Sequence, residues 1–425
     1  MNKNSSPSAR LRVAVLVNLP RHEISGGHVR GWEYRAKAAA NCPELPLDLT
    51  VYFSGQEKTE ILAPHVRLRH LPQLFSTAKL TFLPYVPDNT DLAPYHPALA
   101  KELKNYDVIH TTDAYFTFTR TAEKVAAKHN IPIVTSFHTD TPSYARVFTR
   151  NTVESIFGKN TWLTRLLTDK MKLPEKQEQK MLAKLRYHLA RCYRGLVVRP
   201  EDAAIVDDVC GKGHTLFLKT VSNKTRFNPS KADRDGIEAE YGIPKGRLLA
   251  LFVGRLDVGK NIYTLIEAME QLIAQGEPIH LITAGLGPAQ QDLIDRLGDH
   301  VTVAGFVQPD NLARIMASCD VFAFTSEIEI RSFVSVEALA SGLPVLVSEK
   351  GGIAELIPAG DGLRPVPTGA AAWAAALKEL IDNKALLDKM REAAHHYTDT
   401  QVATWEETIR DEFLPTWQAA HESRA

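Results

Sequence analysis

A chain of 425 residues is long enough for two or three domains with a large buried core. Apolar residues make up 44% and charged residues 24%, which excludes disordered, collagen-like and disulfide-dense classes. Lys plus Arg equals Asp plus Glu at 50 each, so no overall charge points to nucleic acid.

Four cysteines, Cys42, Cys192, Cys210 and Cys319, stand far apart without a CxxC pair. That is the pattern of reduced thiols in a cytoplasmic protein, not of a disulfide framework or a zinc site. Met1–Arg10 is polar and Ser/Pro-rich, and the apolar run Val13–Val17 is too short for a leader. No window approaches the roughly 20 apolar residues that span a bilayer. The expected location is the cytoplasm, at most on a membrane surface.

In chain order, nearly continuous apolar runs at Leu11–Val17, Leu49–Phe53, Asp107–Thr111, Ile133–Phe137 and Gly195–Val198 predict buried parallel strands. Thr121–His129 and Lys176–Tyr193 show helical spacing between them. The alternation predicts a doubly wound α/β domain. A polar, turn-rich stretch, Val221–Gly242, interrupts it. Strand Leu248–Val253 and a helix over Asn261–Gln275 then restart the pattern, with Ile262, Leu265, Ile266, Met269 and Ile273 on one face. Strands follow at His280–Ala284, Val301–Ala304, Val321–Phe324 and Pro344–Val347, and an Ala-rich helix at Ala370–Leu380. The expected α/β architecture is two Rossmann-like domains facing across a cleft, residues 1–222 and 223–400, with 401–425 as a C-terminal segment.

The densest chemical signal is Val253-Gly-Arg-Leu-Asp-Val-Gly-Lys-Asn261, where a strand gives way to a helix. Open α/β sheets bind ligands beyond the carboxyl ends of their strands. Arg255 offers a planar fork and Lys260 a mobile point charge, a pair suited to a pyrophosphate. A second signal spans Glu329 to Glu337. Ser332 is expected to cap a helix running to about Ser341, with Glu329 on the preceding loop and Glu337 on the helix. The N–H groups of Phe333 and Val334 at that helix start favour anions or polarised hydroxyls. Ser25-Gly26-Gly27-His28 follows the first strand and lets backbone approach a phosphate. His138 lies just past another strand of the same domain. The only DxD, Asp233-Arg-Asp235, falls in the polar stretch and reads as surface.

Together these segments resemble a retaining glycosyltransferase of family 4, with the GT-B architecture, from Leu11 to about Phe413. Val253–Asn261, Ala284–Pro288, Ala304–Val307, Glu329–Pro344 and Gly351–Glu355 carry the resemblance most specifically. It implies that Arg255 and Lys260 hold the donor diphosphate, Glu337 the ribose hydroxyls, and Glu329 a hydroxyl of the transferred sugar. It further implies that Phe306 and Val307 meet the nucleotide base, that Gly26 and Gly27 close over the phosphates, and that His138 contacts the transferred sugar. A C-terminal helix with Trp405, Ile409 and Phe413 would return to the first domain. The sequence departs where the family has Phe-Gly, at Arg331 and Ser332; Arg331 either points to solvent or pairs with an acid, or else reads an anionic sugar. The implied reaction is same-face attack, with the leaving phosphate taking the acceptor proton and without a metal or resident cofactor.

Between Ser143 and Arg199 stand thirteen Lys/Arg against four Asp/Glu. Interleaved bulky residues such as Phe157 and Trp162 make this segment a candidate for an anionic membrane surface or a lipid acceptor. Tyr144, Arg146, Arg150, Trp162 and Arg165 are its candidate contacts. The alternative is an amphipathic hairpin with its apolar residues turned inward. The expected function is transfer of a hexose-type sugar from a nucleotide donor, UDP-sugar favoured, to a glycerolipid-like acceptor. A soluble saccharide acceptor, a sugar-nucleotide epimerase and a non-catalytic nucleotide-sugar binder are the alternatives.

Overall fold

The computed structural model describes residues 10–22, 25–77, 90–327 and 332–424. Glu329 and Arg331 lie outside the described residues. The chain divides into two compact units, Met1–Leu218 with Trp405–Ala425, and Lys219–Thr404. The crossings fall a few residues from the expected 222/223 and 400/401. Ser222 N donates to Ala403 O and Ala403 N to Thr220 O, which ties residues 220–222 to the second unit.

The first unit is built on eight strands: β1 (Leu11–Pro20), β2 (Leu47–Ser54), β3 (Lys58–Ala63), β4 (Val66–Leu71), β5 (Val108–Thr111), β6 (Ile133–Ser136), β7 (Cys192–Val197) and β8 (Thr215–Phe217). Their order is β3-β4-β2-β1-β5-β6-β7-β8. All neighbours are parallel except β3 and β4. The central strands are buried on both faces, which is why they read as unbroken apolar runs. The edge strand β3 is largely uncovered and carries Lys58 and Glu60, and its weak apolar pattern left it unpredicted. The helix expected over Lys176–Tyr193 runs instead over Leu173–Leu189. Cys192 already pairs with Ile133, so Tyr193 is a strand residue, because ladder bonds to β6 outcompete a further helical turn. The C-terminal segment adds the helices Trp405–Thr408 and Leu414–Glu422 to this unit, and Phe413 and Trp417 are fully buried in it.

The second unit holds six parallel strands: β9 (Leu248–Val253), β10 (Ile279–Ala284), β11 (Val301–Val303), β12 (Val321–Phe324), β13 (Val345–Ser348) and β14 (Leu363–Val366). Their order is β11-β10-β9-β12-β13-β14. Alternate residues of β9 feed opposite cores: Leu249, Leu251 and Val253 join one, and Leu248, Ala250 and Phe252 the other. The helix Ile262–Ala274 buries Leu265, Ile266 and Met269 in the second of these. Among the parallel strands of each sheet the order reverses once, between β1 and β5 and between β9 and β12. Crevices for ligands form where strands diverge at such reversals.

Candidate active site

In the second unit the β9/β12 reversal is where the two strongest sequence motifs meet. Leaving β9, the Asp257 carboxylate accepts a bond from Lys260 N at 3.1 Å and folds Val258–Lys260 into a tight turn. Asn261 completes the turn with φ of 54° before the helix starts. The Arg255 guanidinium pairs with Asp257. A Cβ built on Gly259 would lie 3.8 Å from Arg255 Nη2, so the guanidinium tip lies over the residue preceding Lys260. Lys260 Nζ stands 5.9 Å from the centre of the Phe324 ring at the end of β12. The Lys260 carbonyl accepts from the Thr325 hydroxyl at 3.0 Å, which fastens the β9 loop to the β12 loop. Two cations therefore rise from one turn at the sheet's switch point.

Neighbouring loops brace this turn. Gly254 N donates to Ala284 O and Leu256 N to Leu286 O, both at 3.0 Å, and Gly285 N to Gly305 O at 2.7 Å. This lateral ladder leads to Phe306, which is exposed, and Val307, which packs half-buried on the core. The glycines after β10 allow close approach: a Cβ on Gly285 would meet Gly254 O at 1.9 Å, and one on Gly287 would meet Leu256 O at 2.2 Å.

Beyond β12 the helix Phe333–Ala340 begins as expected. The buried Ser332 hydroxyl accepts from Ser335 N at 3.2 Å and from the Ser335 hydroxyl at 2.7 Å. Phe333 and Val334 occupy the first turn, at the positive end of the helix dipole. Glu337 lies buried on the next turn. A group that escaped sequence reading is the Ser326 hydroxyl, two residues past β12, which is buried and finds no hydrogen-bond partner among the described residues. A Cβ on Gly351 would lie 2.9 Å from Ser326 O, so the Gly351-Gly352 turn crosses over it. A Thr-Ser pair after a strand carries no distinguishing pattern, which is why it was missed.

In the first unit Gly26 caps the helix Gly27–Ala40 without a side-chain bond, and a Cβ there would meet nothing within 4 Å. His138, two residues past β6, is held by the Ser136 hydroxyl at 2.8 Å and the Trp32 indole at 3.3 Å, both on Nε2. His28 stacks on its ring with centroids 4.3 Å apart and planes 4° from parallel. Below them, His110 is wholly buried. Burial, followed by the charge of Arg35, pushes His28 and His110 each down to about 3. Arg35 is itself buried among the rings of Trp32, Trp405 and Phe413. His28 closed the Ser25-Gly26-Gly27-His28 signal, but Trp32, His110 and Arg35 were not singled out from sequence, because their partners lie in distant segments.

The basic segment forms a hairpin of the helices Thr141–Phe157 and Leu173–Leu189. Asp140 caps the first helix through Ser143 N. Val153, Met181 and Leu185 turn inward, as the alternative reading expected. At the tip, however, Ile156, Phe157, Met171 and Leu173 are exposed, and Trp162 is 76% exposed. Arg150, Lys159, Arg165, Lys170 and Lys172 surround them, all exposed. Tyr144 and Arg146 sit on the first helix, where Arg146 pairs loosely with Glu178 at 3.5 Å. Among the described residues no helix is long and apolar enough to cross a membrane.

The two parallel-dominated α/β sheets with their helices match the GT-B class of fold, as solved for glycosyltransferases. Residues 233–397 match the family described as glycosyl transferases group 1. Sulfoquinovosyl transferase SQD2 of Arabidopsis thaliana is 30% identical over 275 residues, 62% of this chain and 47% of that protein. The chain spans about half the length, or less, of the curated relatives it matches. Among solved structures, sucrose-phosphate synthase from Thermosynechococcus elongatus superposes with a TM-score of 0.69 at 19% identity. HepE of Anabaena, in complex with UDP and glucose, gives 0.67 at 15%. Each alignment covers 96% of this chain and 100% of the other, a likeness of fold.

Proposed function

We propose that the protein is a retaining glycosyltransferase moving a hexose-type sugar from a nucleoside diphosphate, UDP favoured, to a lipid acceptor at a membrane surface. The observation that carries the reading is the placing of Arg255 and Lys260 on one turn at the β9/β12 reversal. As the bond from sugar to phosphate breaks, negative charge grows on the leaving diphosphate and positive charge on the anomeric carbon. Preorganised cations and the helix N-terminus at Phe333 and Val334 stabilise the former, usually the largest single contribution to such catalysis. Glu337 takes the ribose hydroxyls and exposed Phe306 flanks the base. His138 and Glu329 contact the transferred sugar, Gly26 and Gly27 its phosphates. The acceptor attacks the face the diphosphate leaves, and the diphosphate takes its proton. The reading assigns no role to a metal.

UDP and glucose in the HepE complex support the choice of donor. The apolar tip ringed by cations supports a lipid acceptor, since each cation near anionic lipid contributes about 1 kcal/mol. A donor with an anionic sugar is the second reading, favoured by Arg331 where the family has Phe-Gly and by the relative named a sulfoquinovosyl transferase. A thermal-shift screen of nucleotide sugars separates the two donors, because a tight ligand stabilises the folded form. Lys260→Ala is expected to lower turnover by several orders of magnitude. Near-normal turnover in that variant removes Lys260 from the mechanism and the reading with it.

A further inference from the structure

A chain of hydrogen bonds in the first unit runs from the C-terminal helix to His138, and its direction can be worked out donor by donor. The Trp417 indole N–H can only donate. It lies 3.0 Å from His110 Nδ1, which must therefore present a lone pair. His110 is wholly buried beside Arg35 and stays neutral, so its one ring proton sits on Nε2. That proton points at Ser136 Oγ, 2.8 Å away. With its oxygen accepting from His110, Ser136 keeps its own proton to give to His138 Nε2, also at 2.8 Å. The Trp32 indole, a second obligate donor, reaches the same nitrogen at 3.3 Å. A proton on His138 Nε2 would face the Trp32 N–H, which cannot turn into an acceptor.

We propose that Trp417, His110, Ser136 and Trp32 are positioning residues that lock His138 as its Nδ1–H tautomer, making it a hydrogen-bond donor to a sugar hydroxyl. The second half of this statement rests on the reading of His138 as a substrate contact; the lock itself does not. His110 and His138 thus hold opposite tautomers although they are joined through one serine. Among the described residues, His28, stacked on His138, and Arg35, enclosed by Trp32, Trp405 and Phe413, are ionisable groups placed against this chain. Arg35 opposes a second positive charge on either His28 or His110.

Long-range proton–nitrogen NMR of the full chain with labelled histidine reads the tautomers without substrate. His110 is expected to show a pyridine-type Nδ1 and a pyrrole-type Nε2, and His138 the reverse. Trp417→Phe keeps the ring but deletes the donor, and His110 should become a mixture of tautomers. Trp32→Phe combined with Ser136→Ala should do the same to His138, and if that pair does not fold, the Trp417→Phe reading at His110 stands alone. The reverse tautomer at either ring of the natural protein, or an unchanged His110 in Trp417→Phe, overturns the proposal. Transfer by Ser136→Ala should fall roughly tenfold, with Ser136→Thr restoring it. Absence of any transfer by the natural protein refutes the reading of the site but leaves the tautomers to be judged on their own.

Discussion

Gly287→Ala tests whether the loop bearing Arg255 is held by backbone contact. An alanine Cβ there would lie 2.2 Å from Leu256 O, 2.6 Å from its carbonyl carbon and 2.7 Å from its nitrogen. Carbon needs about 3.5 Å from such atoms, so one backbone must retreat by roughly 1 Å. Leu256 cannot yield easily. Its side chain is fully buried, its N–H is bonded to Leu286 O, and its carbonyl accepts from Ala289 N, both at 3.0 Å. Overpacking costs about 1–3 kcal/mol and weakening the two hydrogen bonds about 1 kcal/mol together, so a loss of about 2–4 kcal/mol is expected. For a unit the size of Lys219–Thr404 that lowers its melting temperature by roughly 5–15 °C. A 1 Å displacement next to Arg255 should also reduce transfer about 100-fold. Calorimetry and initial rates measure both. Gly242→Ala, at φ of +64° in open space, should cost only the strain of its backbone, and Gly285→Ala should be worse than Gly287→Ala. A Gly287→Ala protein with unchanged melting and unchanged rate would show that the β10 loop does not hold the arginine turn in place.

Three further outcomes are expected. His110 is neutral when folded down to about pH 3 but takes a proton near 6.5 when unfolded, so the folded state gains stability as pH rises between those values. Denaturant titrations of His110→Asn should show that slope reduced by about 1.4 kcal/mol per pH unit, and an unchanged slope contradicts a neutral buried ring. Gly26→Ala adds a methyl to open space and should leave melting unaltered while lowering transfer about tenfold through the approaching phosphate; equal rates would take Gly26 out of the donor site. Anionic liposomes at low salt should sediment the protein, and Trp162→Ala with Lys170→Glu should abolish this. Sedimentation that persists in that variant would place the lipid contact elsewhere.

Much of the architecture was legible locally. Parallel strands buried on both faces have no polar alternation, so β9 and β12 could be delimited to the residue from apolar runs alone. The Ser332 cap was legible because it rests on a side chain bonding backbone three residues on. Strand β3 was not, since an edge strand lacks the burial that writes a pattern into sequence.

The placing of Arg255 and Lys260 together was determined by sequence alone, because a single turn carries both charges. Only the tertiary structure decided the surroundings of His138. Trp32, His110, Ser136 and Trp417 come from four separate elements, and nothing in their spacing along the chain signals that they meet. Hydrogen-bond direction is a property of that assembly: which nitrogen of a histidine holds the proton depends on donors hundreds of residues away, brought close only when the C-terminal helix docks on the first sheet.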